Sequence, residues 1–390
     1  MRFLTRRSSG PILLSLAAAA AVAVPVSASA SVSAPVQASP VVGHVYVNDD
    51  TSGTNTIGAF NRHADGTLTP EPGSPFTAGG AGNGAGLASQ GALQISPDGR
   101  FLLAADAGSN QISVLQINRD GSLARDAVVS SGGVLPDSVA VHGDLVYVAN
   151  SGNGGSNYTG FRLTPGGRLD PIGGSTVKLP DGSAPGDVLF NGTGTKLAGT
   201  RVGTSQIDSF TVGDSGRLTA APGSPFPGQG LGTFGSEFRP TNPSQVFVSN
   251  AHNVGAGTGT VSAFRDSASG TLTSIGSSPF ADNQTAPCWI EITHDGQFLF
   301  TVNTASGTIS RFSIAGDGTL TLLGSTPVKA TGGVGAVDPR LSPDGHFLYV
   351  DESKIGAVGI FAVNGGNLTE LPSSPISLPA GATPAGIAVN

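Results

Sequence analysis

With one cysteine, Cys288, in 390 residues, the chain has no means of forming an intramolecular disulfide. Charge is scarce as well: Asp, Glu, Lys and Arg supply 12% of the residues, and the balance is −7. No cluster of Lys and Arg interrupts that balance, which argues against nucleic acid or an anionic membrane surface as a partner. Beyond the N-terminus, no segment holds eighteen uninterrupted apolar residues, so no membrane insertion is expected. Stability without cross-links must come from a core, which a domain of roughly 350 residues can supply. Glycine (59) and proline (27) are abundant. They fall between short β-branched and aromatic runs, as turns do in an all-β protein, and the apolar content is too high for disorder.

The N-terminus differs from the rest. Arg2, Arg6 and Arg7 precede an apolar stretch from Pro11 to Val24, and Ala28-Ser29-Ala30 offers small residues for cleavage. This is the pattern of a secretory signal peptide over residues 1–30, too short in its apolar part for a membrane anchor. A linker over 31–41 then leads to one domain over 42–390, and the mature protein is expected outside the cell or at its envelope. Loss of three basic residues and no acidic one moves the formal charge from −7 to −10.

Self-comparison shows a repeat of roughly fifty residues. A turn followed by Leu, as in Asp65-Gly66-Thr67-Leu68, recurs at Gly121, Gly167, Gly216, Gly270, Gly318 and Gly366. An apolar triplet such as Val45-Tyr46-Val47 precedes each copy, centred on Leu102, Tyr147, Leu197, Phe247, Leu299 and Leu348. Within Ala286 to Leu323, strands are expected at Trp289–Ile292 (A), Phe298–Val302 (B), Thr308–Ile314 (C) and Thr319–Leu323 (D). Seven such units without helices predict an all-β, seven-bladed β-propeller of four-stranded antiparallel blades. The first repeat, from Val42, lacks a strand A, while Pro384 to Val389 reads as a strand A with nothing after it. The C-terminal strand should therefore pair into the first blade and close the ring.

Three motifs carry less than they suggest. Gly213-Asp214-Ser215-Gly216 resembles a serine-protease nucleophile segment but lies in register with the other C–D turns. The glycine string from Gly79 to Gly86 resembles a phosphate loop but lacks a βαβ context, and reads as a flexible connection between blades. No pair among the six histidines has the spacing of a zinc site, so neither metal nor cofactor is expected.

The repeats resemble the lactonase family of seven-bladed propellers, which includes 6-phosphogluconolactonase and fungal carboxymuconate-lactonizing enzyme. The likeness runs from Val42 to Asn390. It rests on Ser96-Pro97-Asp98-Gly99-Arg100-Phe101-Leu102, the Asp-Gly-Thr-Leu-Thr turns and Gln284-Thr285-Ala286-Pro287-Cys288-Trp289. Leu378-Pro379-Ala380-Gly381-Ala382 is similar to exported bacterial members, and Val146-Tyr147-Val148-Ala149-Asn150 to surface-layer propellers. The resemblance implies action on a lactone. The chain departs from the phosphogluconolactonase pattern where a His commonly opens strand A: Pro136-Asp137, Pro185-Gly186 and Pro287-Cys288 stand there. With no basic cluster either, a phosphorylated substrate is not expected.

A site is expected at the channel mouth on the face of the D–A and B–C loops. Aligned strands A put Gln94, Ala140, Leu189, Glu237, Glu291, Arg340 and Ala388 at one level near the axis. Asp187, Trp289 and Asp338 form the next level, and the B–C loops add Arg201, His252 and Asn303. Arg340, with Arg201, would bind a carboxylate or polarise a lactone carbonyl. Glu237 or Glu291 would act as general base, its pKa raised by the other's charge. Trp289 would pack a ligand ring, and Cys288 would line the wall. The bland alternative is that Glu291 and Arg340 form an inter-blade salt bridge only. Two functions stay open: an exported monomeric enzyme opening or forming a small carboxylated or sugar-derived lactone, or a binding module for a protein, glycan or cell-envelope ligand.

Overall fold

A computed structural model describes residues 39–329 and 335–390. The expected signal peptide, and residues 31–38 of the expected linker, lie outside the described residues. Seven antiparallel sheets follow one another along the chain. In blade 6 the strands are Pro287–Ile292 (A), Phe298–Asn303 (B), Thr308–Ile314 (C) and Leu320–Pro327 (D). Strand D runs longer than expected because it pairs with strand C over the whole of Thr308 to Ile314, through a bulge at Arg311/Phe312. Among the described residues helical structure is limited to two single 3-10 turns, Ala107–Ser109 and Val202–Thr204.

The strands A touch one another in a closed circuit, so they are innermost and line a channel. Closure is made by Ile387–Val389, whose residues pair with Val47, Tyr46 and Val45. Asn390 fastens the end: its side chain accepts from the His44 N–H at 2.7 Å and its carbonyl from Arg62 Nε at 3.1 Å. The seven-bladed ring thus has the C-terminal strand inside blade 1, with no open inner edge there. Blades pack face to face through apolar clusters that straddle neighbours, such as Tyr147, Val188, Leu197 and Phe210 between blades 3 and 4. Full burial of each such side chain contributes roughly 1.5–3 kcal/mol.

The glycine of the repeated turn is an inter-blade device. Tyr46 on strand B of blade 1 donates its hydroxyl to the Gly121 carbonyl in the C–D turn of blade 2, at 3.0 Å. Tyr147 and Tyr349 do the same to Gly216 and Gly66, at 2.8 and 3.0 Å. Gly121 has φ +87°, and a Cβ there would run into the His44 ring. Gly99, at φ +73°, sits in open space. Gly121→Ala should therefore destabilise by roughly 1–3 kcal/mol, and Gly99→Ala by only the conformational cost of about 1 kcal/mol. Urea unfolding of the two variants checks this, and equal midpoints would show that the blade contact contributes nothing.

Candidate functional site

Pairing with strand B fixes the level of each inner residue. Gln94, Ala140, Leu189, Glu237, Glu291, Arg340 and Ala388 stand opposite Leu103, Tyr147, Ala198, Phe247, Phe300, Tyr349 and Tyr46. These positions are equivalent in all blades, so the three charged residues of blades 5, 6 and 7 share one ring of the channel wall. The pleat points alternate residues to the same side, which brings Asp187 and Trp289 to the level nearer the D–A loops.

Glu291 is fully engaged. One oxygen accepts from Arg340 Nη1 at 3.2 Å and the other from the Leu341 N–H at 2.9 Å. Its side chain is 6% exposed against 23% for Arg340, so the carboxylate lies behind the guanidinium and holds it toward the channel. Glu237 is half-buried. With Arg340, Asp187, Ser236, Gln94 and Leu189 it lines a cavity of about 160 Å³. Gln94, Leu189 and Phe190, at the A–B end of that cavity, are half-buried, whereas Asp187 and Ser236 are buried. The cavity therefore opens at the A–B turns.

Charge is concentrated there. Burial pushes Glu237 well above the usual carboxylate range; the Glu291 charge adds to this and Arg340 opposes it. Burial likewise lifts Asp187 to about 7, against hydrogen bonds from Ser236, whose N–H and hydroxyl reach it at 2.9 and 2.7 Å. Asp338 is raised to about 6, by burial and against the pull of Arg340. Burial acts to lower Arg340, but Glu291, Asp338, Glu237 and Asp187 outweigh it and keep the guanidinium charged. The arrangement pairs one fixed cation with a carboxylate perturbed by burial and charge rather than by hydrogen bonds.

The other end of the channel is closed. Residues 88–91, in the connection from blade 1 to blade 2, cross the axis instead of skirting it. Ser89 donates its hydroxyl to the Asp137 carbonyl at 2.5 Å, and its own carbonyl accepts from Trp289 Nε1 at 2.8 Å. The Gly91 N–H donates to Asp338 at 3.1 Å. The expected mouth on the D–A face is thus plugged, and the charged level opens on the opposite face. Above the plug lies a separate pocket of about 480 Å³ whose walls include Leu87, Leu135, Asp137, Val202 and His252. Nothing in the segment signals a plug: Ala88-Ser89-Gln90-Gly91 reads as the tail of a glycine-rich loop. That loop is itself ordered around an anion, since Asn83 and Gly86 donate N–H groups to the carboxylate of Asp50, at 2.6 and 3.1 Å.

Several expected ligand contacts are structural instead. The Trp289 ring packs on Phe234, centroids 5.0 Å apart, and is 4% exposed; it supports the plug rather than a ligand. Cys288 belongs to the core, with burial pushing its thiol up to about 12, and it is not among the residues lining the cavity. Arg201 is spent on Asp208 in a buried bidentate pair at 2.6 and 2.7 Å, because its strand turns it into the sheet and not to the axis. Asn303 donates to Thr308 and Ser310 within blade 6, at 3.0 and 2.8 Å. His252 is exposed at the pocket above the plug. Asp338 lies behind the plug rather than in the cavity. Among the described residues, no three His, Cys, Asp or Glu side chains are grouped as metal ligands would be.

Comparison with known proteins adds the lineage. A family model described as "Lactonase, 7-bladed beta-propeller" matches residues 43–190 and 238–388. Asp187, Glu291 and Arg340 lie inside those segments, and Glu237 one residue before the second. Curated proteins give no match. Among solved structures, a Bacteroides fragilis protein provisionally described as a 6-phosphogluconolactonase is 20% identical, with a TM-score of 0.69 over 89% of this chain and 98% of that one. The periplasmic gluconolactonase of Pseudomonas aeruginosa is 16% identical, with a TM-score of 0.70 over 89% and 98%. A Lactobacillus plantarum protein is 20% identical, with a TM-score of 0.70 over 89% and 99%. At these identities the likeness is one of fold.

Proposed function

The chain belongs to the lactonase family of seven-bladed β-propellers, and from that premise we propose that it hydrolyses a small, unphosphorylated lactone in the cavity beneath the plug. One observation carries this reading: Glu237 and Arg340 line the same small polar cavity, the cation being fixed from behind by Glu291. Glu237 takes a proton from a water molecule, whose oxygen attacks the lactone carbonyl carbon. Arg340 draws the carbonyl oxygen and stabilises the oxyanion that forms. Collapse breaks the ring C–O bond, the leaving oxygen takes the proton back from Glu237, and a hydroxy acid results. Ring closure is the same path in reverse.

The cavity's size and charge narrow the substrate. At about 160 Å³ it falls below the roughly 300–1,000 Å³ of drug-sized sites, so it admits a single ring whose substituents project past the A–B turns. Arg340 is the one cation among its lining residues, which suits a carbonyl or a carboxylate better than a phosphate. Export belongs to the same proposal. It is supported by the N-terminal Arg and Ala/Leu pattern and agrees with the periplasmic setting of the Pseudomonas aeruginosa gluconolactonase. Sequencing the N-terminus of the mature protein tests it, with a start after Ala30 or Ala34 expected.

A panel of sugar lactones, muconolactones and acyl lactones tests the activity. Turnover of one class is expected, falling by roughly 10²–10³ in Arg340→Ala. A second reading draws on the plugged face, where the pocket of about 480 Å³ is lined by Leu87, Leu135, Val202 and the exposed His252. There the propeller would bind a protein, glycan or cell-envelope ligand without chemistry. No turnover across the panel would favour it.

A further inference from the structure

We infer that Gln90, which borders the cavity beside Glu237 and Arg340, is the positioning residue of this site: its backbone and carboxamide bind the three strands of blades 4, 5 and 6 at the step before Asp187, Glu237 and Glu291. The Gln90 N–H donates to the Gly186 carbonyl at 2.8 Å. Its Nε2 donates to the Ser236 carbonyl at 3.0 Å, and its Oε1 accepts from the Ile290 N–H at 2.9 Å. Each partner belongs to the residue directly preceding one of the three acids. Gln90 comes from the connection between blades 1 and 2, is 4% exposed, and crosses the channel to reach them. Gly235 has no space for a Cβ because the Gln90 carboxamide oxygen occupies it.

The chemistry of the residue is specific. One partner is a carbonyl and the other an N–H, so the bridge needs a donor and an acceptor on one planar group, which an amide has and an ionised carboxylate lacks. An apolar side chain of similar length fills the volume and leaves both peptide groups unpaired. The neighbouring Gly91 N–H holds Asp338, two residues before Arg340. The crossing segment therefore sets the spacing of the inner strands on which Glu237 and Arg340 stand. An error of about 1 Å in such spacing costs roughly 10²-fold in rate.

This inference rests on the proposed reaction, so its test needs a readout that does not depend on turnover. Gln90→Met and Gln90→Ala are compared with the wild type in the full mature protein. The rate is followed on the lactone turned over best, and the Glu237 carboxyl is titrated by carbon-13 NMR, its signal assigned by loss in Glu237→Gln. Gln90→Met is expected to lower kcat by roughly 10–10²-fold with KM little changed. The Glu237 midpoint is expected to move, because Asp187, Glu291, Asp338 and Arg340 all act on it and their distances change. A fall in thermal stability with rate and midpoint both unmoved would reduce Gln90 to a packing residue and overturn the inference. If the wild type turns over no lactone, the proposed reaction fails, and the midpoint alone decides whether Gln90 sets the environment of Glu237.

Discussion

Glu237→Gln is expected to lower kcat by roughly 10²–10⁴-fold, the usual contribution of a general base, and to remove the acidic limb of the pH–rate profile. The substitution keeps the shape of the side chain and takes away its basicity. Only the ionised form of Glu237 can accept the proton of water, so the wild-type rate should rise with pH through the Glu237 pKa. Burial and the Glu291 charge hold that pKa well above the ordinary carboxylate range; the limb therefore lies above the pH range in which an ordinary carboxylate titrates. Arg340 opposes the shift, so Arg340→Ala should move the limb further up as well as slow the reaction. Initial rates between pH 4 and 9 on wild type, Glu237→Gln and Arg340→Ala check both statements. A limb that persists in Glu237→Gln would assign it to another group, Asp187 at about 7 being the neighbour to examine next.

The same residues show how far the sequence reaches. Gly66, Gly121 and their equivalents were visible because each repeat needs a left-handed turn tucked against the preceding blade, so the constraint returns at a fixed period. The inner level of Gln94, Glu237, Glu291 and Arg340 was visible for the same reason: the pleat has period 2, and strand A occupies the same place in every blade. Depth and direction were not. Arg201 and Asn303 stand at the B–C ends of their strands, but Asp208, Thr308 and Ser310, seven or fewer residues further on, take them up within the sheet. Trp289 and Cys288 sit beside a charged level and are nevertheless core. The burial of Trp289 depends on Ser89 and Phe234, which come from the crossing segment and from blade 5. The plug escaped because it is a single departure from the repeat. Self-comparison finds what recurs, and Ser89 to Gly91 occur once.

Raising the pH from 5 to 8 should destabilise the fold, lowering the melting temperature by ~5–10 °C. Many carboxyls here are buried more deeply than their counter-charges or hydrogen bonds offset. Burial lifts Asp49 to about 7, Asp187 to about 7, Asp338 to about 6 and Glu352 to about 7, and raises Asp137 and Asp351 well above the usual range. For such groups the folded state binds protons more readily than the unfolded chain. Their contribution is present in full below the unfolded pKa near 4 and is lost as pH rises through the folded values near 6–7. Turn carboxylates act with the opposite sign: hydrogen bonds within the turn hold Asp65, Asp120 and Asp317 below their ordinary value. Their contribution is lost only as pH falls below about 4, so maximum stability should lie near pH 4–5 instead of the neutral range usual for proteins. Calorimetry across pH 3 to 9 tests this, with Asp338→Asn as the internal check. Asparagine still accepts from the Gly91 N–H but does not titrate, so this variant should lose less stability than the wild type between pH 5 and 8. A melting temperature that is flat or rises over that interval would mean that the buried carboxyls are matched by charges the channel wall does not display.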